Sequence, residues 1–229
     1  MTRRYVLVSS HLMTTTEQAA QGRRSERSRR AVIDAAAKLL TQRGYTAITM
    51  EGIAAEAKVG KATVYRWWPS KASIFMDLYA ELAEEITPPA DTGSVVKDVT
   101  LLIRGAFKLY RETAAGLALA GIIAEAQSNA AVSRIVRNDF APSRRHIILH
   151  LLERGVARGE ISTDADLELI SEVLAGASWY CILVGSGQLT DRHATRIVET
   201  VLAGIVQRPA KNQAKKSARK RVSTAVAHV

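Results

Sequence analysis

A short basic and aromatic segment carries the side chains of this sequence that are best suited to reading a nucleic acid. Residues 61–68 read Lys-Ala-Thr-Val-Tyr-Arg-Trp-Trp. Lys61 and Arg66 present donors that can pair with guanine, and the methyl group of Ala62 can meet the methyl group of thymine. A segment that mixes donors, a hydroxyl group, a small methyl group and flat rings suits the recognition helix of a DNA-binding protein.

Helical spacing divides this segment into two faces. Val64 and Trp68 are four residues apart and share one face, so we expect both to point into a small core. Pro69 ends the helix, because the residue before a proline is pushed out of the helical region. The other face carries the candidate base contacts, which are Lys61, Ala62, Thr63, Arg66 and Trp67, with Tyr65 at its edge. The alternative interpretation is that both tryptophans are core and the basic side chains are only solvated.

The elements around this segment predict a helix-turn-helix. A first helix is predicted from about Ser25 to Gln42, ending at Gly44, which tolerates a left-handed conformation. A short helix is predicted over 50–57, with Thr49 as its N-cap. A tight turn at 59–60 joins it to the second short helix, and two such helices joined by a short turn form the motif.

The next helix has its own start signal. Ser70 can cap it, and Lys71 then lies at its N-terminus, where a cation and exposed backbone N–H groups suit a phosphate.

The run from Thr49 to Lys71 resembles the DNA-binding domain of the TetR family of bacterial transcriptional regulators, and the resemblance extends over residues 25–86. It departs mildly from the family pattern at Trp68, where members usually have Phe or Tyr, and at Gly60, where Ser is common. The resemblance implies that Thr49, Tyr65 and Lys71 contact phosphates. It also implies that the side chains nearest the base edges are Lys61, Ala62, Thr63, Arg66 and Trp67.

The net charge of +10 is concentrated at the two ends of the chain. Residues 1–90 carry 13 Lys/Arg and 9 Asp/Glu, residues 91–208 carry 13 of each, and residues 209–229 carry 6 basic and no acidic residues. The basic excess favours a polyanionic partner. The neutral middle is where ligand binding and dimerisation are expected.

Residues 91–208 read as several helices with apolar stripes. One stripe follows residues 167–181 and another follows residues 194–205. These last two helices could pair with their copies in a four-helix interface, and the TetR resemblance implies such a homodimer. The alternative is that both stripes are buried within one chain.

The resemblance also implies a small-molecule pocket in this half, whose ligand weakens DNA binding. A mostly apolar ligand is expected, because charges balance here and no charged cluster falls within an apolar run. The candidate lining residues are Phe107, Tyr110, Gln127, His146, Trp179 and Tyr180.

The sequence offers little for catalysis or metal binding. Cys181 is the one cysteine, which excludes a disulfide within the chain. His146, His150 and Glu153 share one helix face, which is a possible metal-binding spacing. Arg144 and its neighbour Arg145 disfavour a cation there, so we interpret this face as solvated or as facing another subunit. No metal or cofactor is expected. A Gly-rich phosphate loop and a Gly-x-Ser-x-Gly elbow are missing, so an enzyme built on a helical bundle is the weaker interpretation.

The predicted fold is all-α, with four segments: a flexible arm at 1–24, a helix-turn-helix DNA-binding domain at 25–90, a helical ligand-binding and dimerisation domain at 91–208, and a disordered basic tail at 209–229. The longest apolar stretch, about 173–185, is shorter than the roughly 18 residues of a membrane span, so a cytoplasmic protein is expected. The predicted function is a sequence-specific regulator, a repressor released from a palindromic operator by a small, mostly apolar ligand. A non-specific nucleoid protein driven by the basic tail is a further alternative.

Overall fold

The computed structural model describes residues 15–86, 90–185, 189–204 and 206. Within these ranges the secondary structure is helical, apart from one isolated antiparallel bridge between Ile161 and Val206. The prediction of an all-α fold is therefore confirmed. The first fourteen residues of the predicted arm and the predicted basic tail at 209–229 lie outside the described residues.

The first helix is longer than the sequence pattern indicated. Helix α1 runs Thr15–Arg43, so it begins ahead of the predicted start at Ser25 and takes in part of the predicted arm. Residues 17–20 are Glu-Gln-Ala-Ala, which are strong helix formers, and they extend the helix beyond the apolar periodicity on which the prediction rested. The helix ends where expected, because Gly44 adopts a left-handed φ of 72°.

Three further helices complete the N-terminal part, and they are α2 (Met50–Ala57), α3 (Lys61–Trp67) and α4 (Lys71–Ile86). The turn between α2 and α3 begins at the first residue of the predicted break at 58–60, one residue ahead of the predicted tight turn at 59–60. Lys58 has φ 55° and ψ 37°, and its N–H reaches the carbonyls of Ala54 and Ala55. The left-handed residue of the turn is thus Lys58, while Gly60 has an ordinary φ of −60° as the N-cap of α3.

The remaining helices are α5 (Val95–Glu112), α6 (Ala115–Ala126), α7 (Ala130–Ile135), α8 (Ala141–Ala157), α9 (Leu167–Val184) and α10 (Asp191–Leu202). A π-helical turn at Val136–Phe140 joins α7 to α8. Side chains cap three of these helices, since Asn129, Asp166 and Thr190 each accept a backbone N–H of the first turn. Helix α10 packs against α5, and both contribute to one core. Its buried members include Val99, Phe107, Leu152, Leu174, Val198 and Leu202.

The chain divides into two compact units, Met1–Phe75 and Met76–Val229. The division falls within α4, whereas the sequence placed the domain boundary between residues 90 and 91. The C-terminal half of α4 belongs to the second unit because Tyr79 and Ala83 are buried there with Leu109, Leu119 and Phe140.

Candidate nucleic-acid interface

Helix α3 separates its side chains into a buried and an exposed face, as its spacing predicts. Val64 is fully buried and Trp68 is 3% exposed, so these two side chains anchor the helix to the core of the first unit. Thr63 and Trp67 are partly exposed. The exposed side chains are Lys61, Ala62, Tyr65 and Arg66.

The two adjacent tryptophans have different environments. Their rings meet edge to face, with centroids 5.5 Å apart, so buried Trp68 supports Trp67 at the surface. The guanidinium carbon of Arg66 lies 5.6 Å from the centroid of the Trp67 ring. This contact places a cation next to an aromatic ring on the outer face of α3. The alternative interpretation, in which both tryptophans are core residues, therefore does not hold for Trp67, which is partly exposed.

Tyr65 is held by a residue of the preceding helix. Its hydroxyl group donates a hydrogen bond to Oε1 of Glu51 at 3.0 Å. The pKa of Glu51 is lowered, first by a hydrogen bond from its own backbone N–H and then by the Tyr65 hydroxyl. The same bond raises the pKa of Tyr65, so this pair is a carboxylate and a neutral phenol at neutral pH. Glu51 thus fixes the orientation of a predicted phosphate contact, a role that spacing along one helix does not reveal.

Thr49 is the N-cap of α2, as predicted. Its Oγ1 accepts a hydrogen bond from the backbone N–H of Gly52 at 3.1 Å. The residue is exposed, so the side chain is at the surface where α2 begins. The cap satisfies one of the unpaired N–H groups of the first turn.

The Lys71 ammonium group is bound within the first unit. Its Nζ donates to the carbonyl oxygens of Tyr45 at 3.0 Å and Ile48 at 3.2 Å, and it lies 4.5 Å from the centroid of the Tyr45 ring. The lysine therefore closes the loop between α1 and α2 with its side chain. The N-terminus of α4 has the predicted cap, because the backbone N–H of Ser73 donates to Ser70 Oγ at 3.4 Å. In return, the backbone N–H of Ser70 donates to Ser73 Oγ at 3.3 Å.

A cavity lies within the second unit, and two of the six predicted ligand-lining residues line it. Tyr110 and Trp179 belong to its wall. The cavity leaves about 60 Å³ for the centres of water-sized molecules.

The other four predicted residues lie elsewhere. Phe107 is fully buried and stacks on His193 at a centroid distance of 6.4 Å. Gln127 is exposed and donates to the carbonyl of Ile123. His146 and Tyr180 are exposed, because both are on the outer sides of their helices.

The polar groups of the cavity come mainly from residues that the sequence analysis did not select. The hydroxyl groups of Tyr79 and Tyr110 are 3.0 Å apart, and the guanidinium carbon of Arg144 lies 5.6 Å from the centroid of the Tyr79 ring. Burial raises the pKa of Tyr79 and raises that of Tyr110 well above its ordinary value. Tyr79, Arg144 and Ser178 belong to α4, α8 and α9, so no local sequence signal brings them together.

The histidine stripe of α8 has no metal-site geometry. His150 Nδ1 lies 3.9 Å from Glu153 Oε2, a contact between two largely exposed side chains. Throughout the described ranges, no group of three His, Cys, Asp or Glu residues is placed to hold a metal ion. Cys181 is buried among apolar side chains.

Helix α9 carries a row of exposed apolar side chains. They recur at intervals of three, four or seven residues along one side, and they are Leu169, Val173, Tyr180, Leu183 and Val184. The opposite side of α9 is buried through Leu174 and Cys181. Helix α9 is longer than the apolar stretch of 173–185, and by length and composition alone it meets the 18-residue criterion for a membrane span, which core helices of soluble proteins also meet.

The apolar stripe of α10 behaves differently. Ala194, Val198 and Leu202 are buried in the core of their own unit, and Ile205 lies outside the described residues. Of the two predicted apolar stripes, the one on α10 is thus mainly buried within its own chain.

Comparison with known proteins agrees with this arrangement. Residues 32–78 match the model described as bacterial regulatory proteins, tetR family, and residues 89–201 match a tetracyclin repressor-like C-terminal domain. The uncharacterized HTH-type transcriptional regulator YdeS of Bacillus subtilis is 33% identical over 82% of this chain and 95% of its own. The DNA-binding transcriptional repressor TetR of Mycobacteroides abscessus is 26% identical over 80% and 96%. The crystal structure of the TetR family regulator SCO0332 superposes with a TM-score of 0.66, at 28% identity over 79% of this chain and 99% of that one. With both domains matched in order and the helix-turn-helix face exposed, the chain belongs to the TetR family of bacterial transcriptional regulators.

Proposed function

We propose that this protein is a homodimeric repressor that binds a palindromic operator and is released from it by a small, mostly apolar ligand. The observation that carries the proposal is the exposed face of α3, where cationic, hydroxyl and aromatic groups are mounted on the buried anchors Val64 and Trp68. Such a face matches a recognition helix lying in the major groove. The family of DNA-binding regulators also favours a cytoplasmic location.

The side chains of this surface divide into two proposed roles. Thr49 and Tyr65 bind phosphates and set the orientation of the helix on the duplex. Lys71 acts through the backbone N–H groups at the start of α4, because its ammonium group is already bound to two carbonyls. The proposed base-edge contacts are Lys61, Ala62, Thr63, Arg66 and Trp67.

The exposed apolar row on α9 supports dimerisation through the last two helices. An exposed row of large apolar side chains is unfavourable in water, and a second copy would bury it. Two copies related by a two-fold axis present two recognition helices, which fits a palindromic operator. We propose that α9 supplies most of this interface, since the stripe of α10 is largely buried in its own unit.

The cavity beside Tyr110 and Trp179 is the proposed ligand site. Typical ligand pockets measure about 300–1,000 Å³, so the helices around this smaller cavity have to move apart to enclose most ligands. We propose that the ligand favours the opened arrangement of these helices and that DNA favours the closed one. Ligand binding then shifts the population away from the DNA-binding arrangement, and DNA binding lowers the affinity for the ligand by the same factor.

Titration of a labelled fragment of the protein's own promoter region tests the DNA-binding surface. Arg66→Ala is expected to weaken specific binding about tenfold or more, because a bidentate base contact is worth about 1–3 kcal/mol. Tyr65→Ala is expected to weaken binding as well, because it removes a proposed phosphate contact that orients the helix on the duplex. Arg137→Ala is the matched control, since Arg137 is exposed on the π-helical turn of the second unit. Unchanged binding in both test variants would contradict the proposal.

Dimerisation has a separate test. Val173→Glu places a charge in the middle of the exposed α9 row and is expected to shift the protein from dimer to monomer in sedimentation velocity. Glu172→Gln, at the exposed neighbouring position, is the control and should leave the dimer intact. A variant Val173→Glu that remains dimeric would place the interface elsewhere.

Deleting residues 209–229 distinguishes a specific repressor from a non-specific nucleoid protein that binds DNA through its basic tail. The deletion removes six positive charges, so binding to random DNA should lose much of its salt dependence, by a slope change of up to about 5. A specific repressor keeps its preference for the operator. Loss of that preference together with the tail would favour the nucleoid-protein alternative.

A further inference from the structure

We propose that the cavity of the second unit binds a small organic carboxylate, with the acid group at Arg144 and the Tyr79–Tyr110 hydroxyl pair and a compact apolar body against the remaining walls. This inference rests on the proposed function, in which the cavity is the effector site. It sharpens the expectation of a mostly apolar ligand by adding one anionic group at a defined end.

Arg144 supplies the first argument, because one of its donors lacks an acceptor. Its Nε is buried and has no hydrogen-bond partner among the described residues. Its guanidinium group packs over the ring of Tyr79 and interacts with the Tyr79 hydroxyl group, and none of the ion pairs identified among the described residues involves Arg144. The neighbouring Arg145, in contrast, pairs with Glu168 and Glu172. A buried donor on a cation is unfavourable unless an acceptor is provided, and a ligand in the cavity can provide it.

The tyrosine pair adds a second donor at the same end. Tyr79 is buried and Tyr110 nearly so, and burial raises both pKa values, so both groups are neutral phenols at neutral pH. Their oxygens are 3.0 Å apart, so one hydroxyl proton is used within the pair and the other is free to bond elsewhere. A guanidinium group together with a free hydroxyl proton requires an acceptor, preferably an anionic one.

The rest of the wall is apolar and sets the shape of the ligand. It is formed by side chains of α4, α5, α8 and α9, among them Leu102, Ile103, Ala106, Ile147, Ile148 and Ala175. Trp179 adds an aromatic side chain to this wall. The space of about 60 Å³ for water-sized centres favours a single ring or a short chain. A cationic ligand would face Arg144 without a counter-charge, and a pure hydrocarbon would leave the donors unpaired.

Calorimetric titration of the full-length protein with paired probes tests the proposal. The pairs are benzoate with benzamide, phenylacetate with phenylacetamide, and hexanoate with hexanamide, so each acid is matched to a neutral molecule of similar shape. At least one acid is expected to bind about tenfold more tightly than its amide, as a charge-assisted bond predicts. Arg144→Gln should abolish this preference, whereas Arg137→Gln should keep it.

Two further variants keep the test decisive if Arg144→Gln does not fold. Tyr79→Phe and Tyr110→Phe each remove one hydroxyl group from the pair and leave the guanidinium group in place. Circular dichroism confirms the fold, and weaker acid binding in either variant, with unchanged amide binding, supports the site. The proposal is overturned if no acid binds better than its amide, or if the folded variants bind acid as tightly as the wild-type protein does.

The same acids are then added to the protein bound to its promoter fragment. Release of the DNA supports both the site and the proposed effector role. Acid binding without release supports the carboxylate site and contradicts that role. Release by the amides alone, without calorimetric preference for any acid, overturns the carboxylate site and leaves the repressor proposal standing.

Discussion

The proposed DNA-binding surface around α3 and the cavity of the second unit are built in opposite ways. The first collects its side chains from one short segment, Thr49 to Lys71, and most of the proposed contacts are exposed. The cavity collects its wall from four helices between Tyr79 and Trp179, and its tyrosines are largely buried. A surface site therefore depends on local spacing, while a cavity depends on how distant helices pack.

Charged groups show the same contrast. The Tyr65–Glu51 hydrogen bond in the first unit is exposed to water. In the second unit Asp98 is 1% exposed, and its Oδ1 accepts bonds from the backbone N–H and the hydroxyl group of Thr92 at 2.8 and 2.7 Å. Its Oδ2 lies 3.5 Å from Arg154 and 3.7 Å from Arg158. This buried network ties the segment before α5 to the end of α8, so it bears on folding rather than on DNA contact.

The largest expected effect distinguishes Trp67, the last residue of α3, from Trp68, its C-cap. Trp68→Ala should lower the free energy of unfolding by about 4 kcal/mol, because it leaves a cavity under the helix. Trp67→Ala should change it by less than about 1 kcal/mol, since the ring is partly exposed, and should weaken operator binding instead. Urea unfolding followed by circular dichroism, together with DNA titration, measures both. Equal destabilisation by the two variants would show that Trp67 is also a core residue.

The buried carboxylate of the second unit comes next. Asp98→Ala should cost about 3 kcal/mol in the free energy of unfolding, because the Thr92 N–H and hydroxyl group lose their acceptor and Arg154 and Arg158 lose a buried anion. Asp164→Ala, at an exposed position, serves as the control and should be nearly neutral. Urea denaturation gives both values, and a neutral Asp98→Ala would mean that the network does not contribute to folding.

A smaller effect is expected at the cap of α2. Thr49→Ala should lower the free energy of unfolding by about 1 kcal/mol, because the N–H of Gly52 loses its acceptor. Thr49→Ser keeps the hydroxyl group and should retain both stability and DNA affinity. If Thr49→Ala loses DNA affinity without losing stability, the hydroxyl group of Thr49 contributes to phosphate binding and not to the stability of the helix.

The smallest effect concerns the pH dependence of the Tyr65–Glu51 bond. The pKa of Glu51 is lowered from 4.5, so the bond stabilises fully above pH 4.5 and its contribution is lost as the pH falls through the lowered pKa. The pKa of Tyr65 is raised from 10.0, so the contribution is full below pH 10.0 and is lost as the pH rises through the raised pKa. The stability difference between wild type and Tyr65→Phe should therefore be constant between pH 5 and 9. Chemical unfolding at several pH values measures this difference. A stability difference that changes with pH between 5 and 9 would contradict the proposed bond between a Glu51 carboxylate and a neutral Tyr65.

Sequence patterns predicted the first unit more completely than the second. Thr49 and Ser70 cap their helices as predicted, and Val64 and Trp68 are buried, because caps and helical faces depend on residues only three or four positions apart. The prediction missed the early start of α1 and the binding of Lys71 to the carbonyls of Tyr45 and Ile48. That contact depends on how α4 packs against the loop between α1 and α2.

The sequence by itself determined the all-α fold and the face of α3 that is exposed, because helical periodicity and local caps encode both. The run from Thr49 to Lys71 also carried the resemblance to the TetR family. Only the tertiary structure decided which aromatic residues share a cavity. Tyr110 and Trp179 meet Tyr79 and Arg144 there, while Phe107 and Tyr180, equally aromatic in sequence, lie in the core and at the surface. The physical reason is that a cavity is the space left between packed helices, and that space depends on every contact of the core at once.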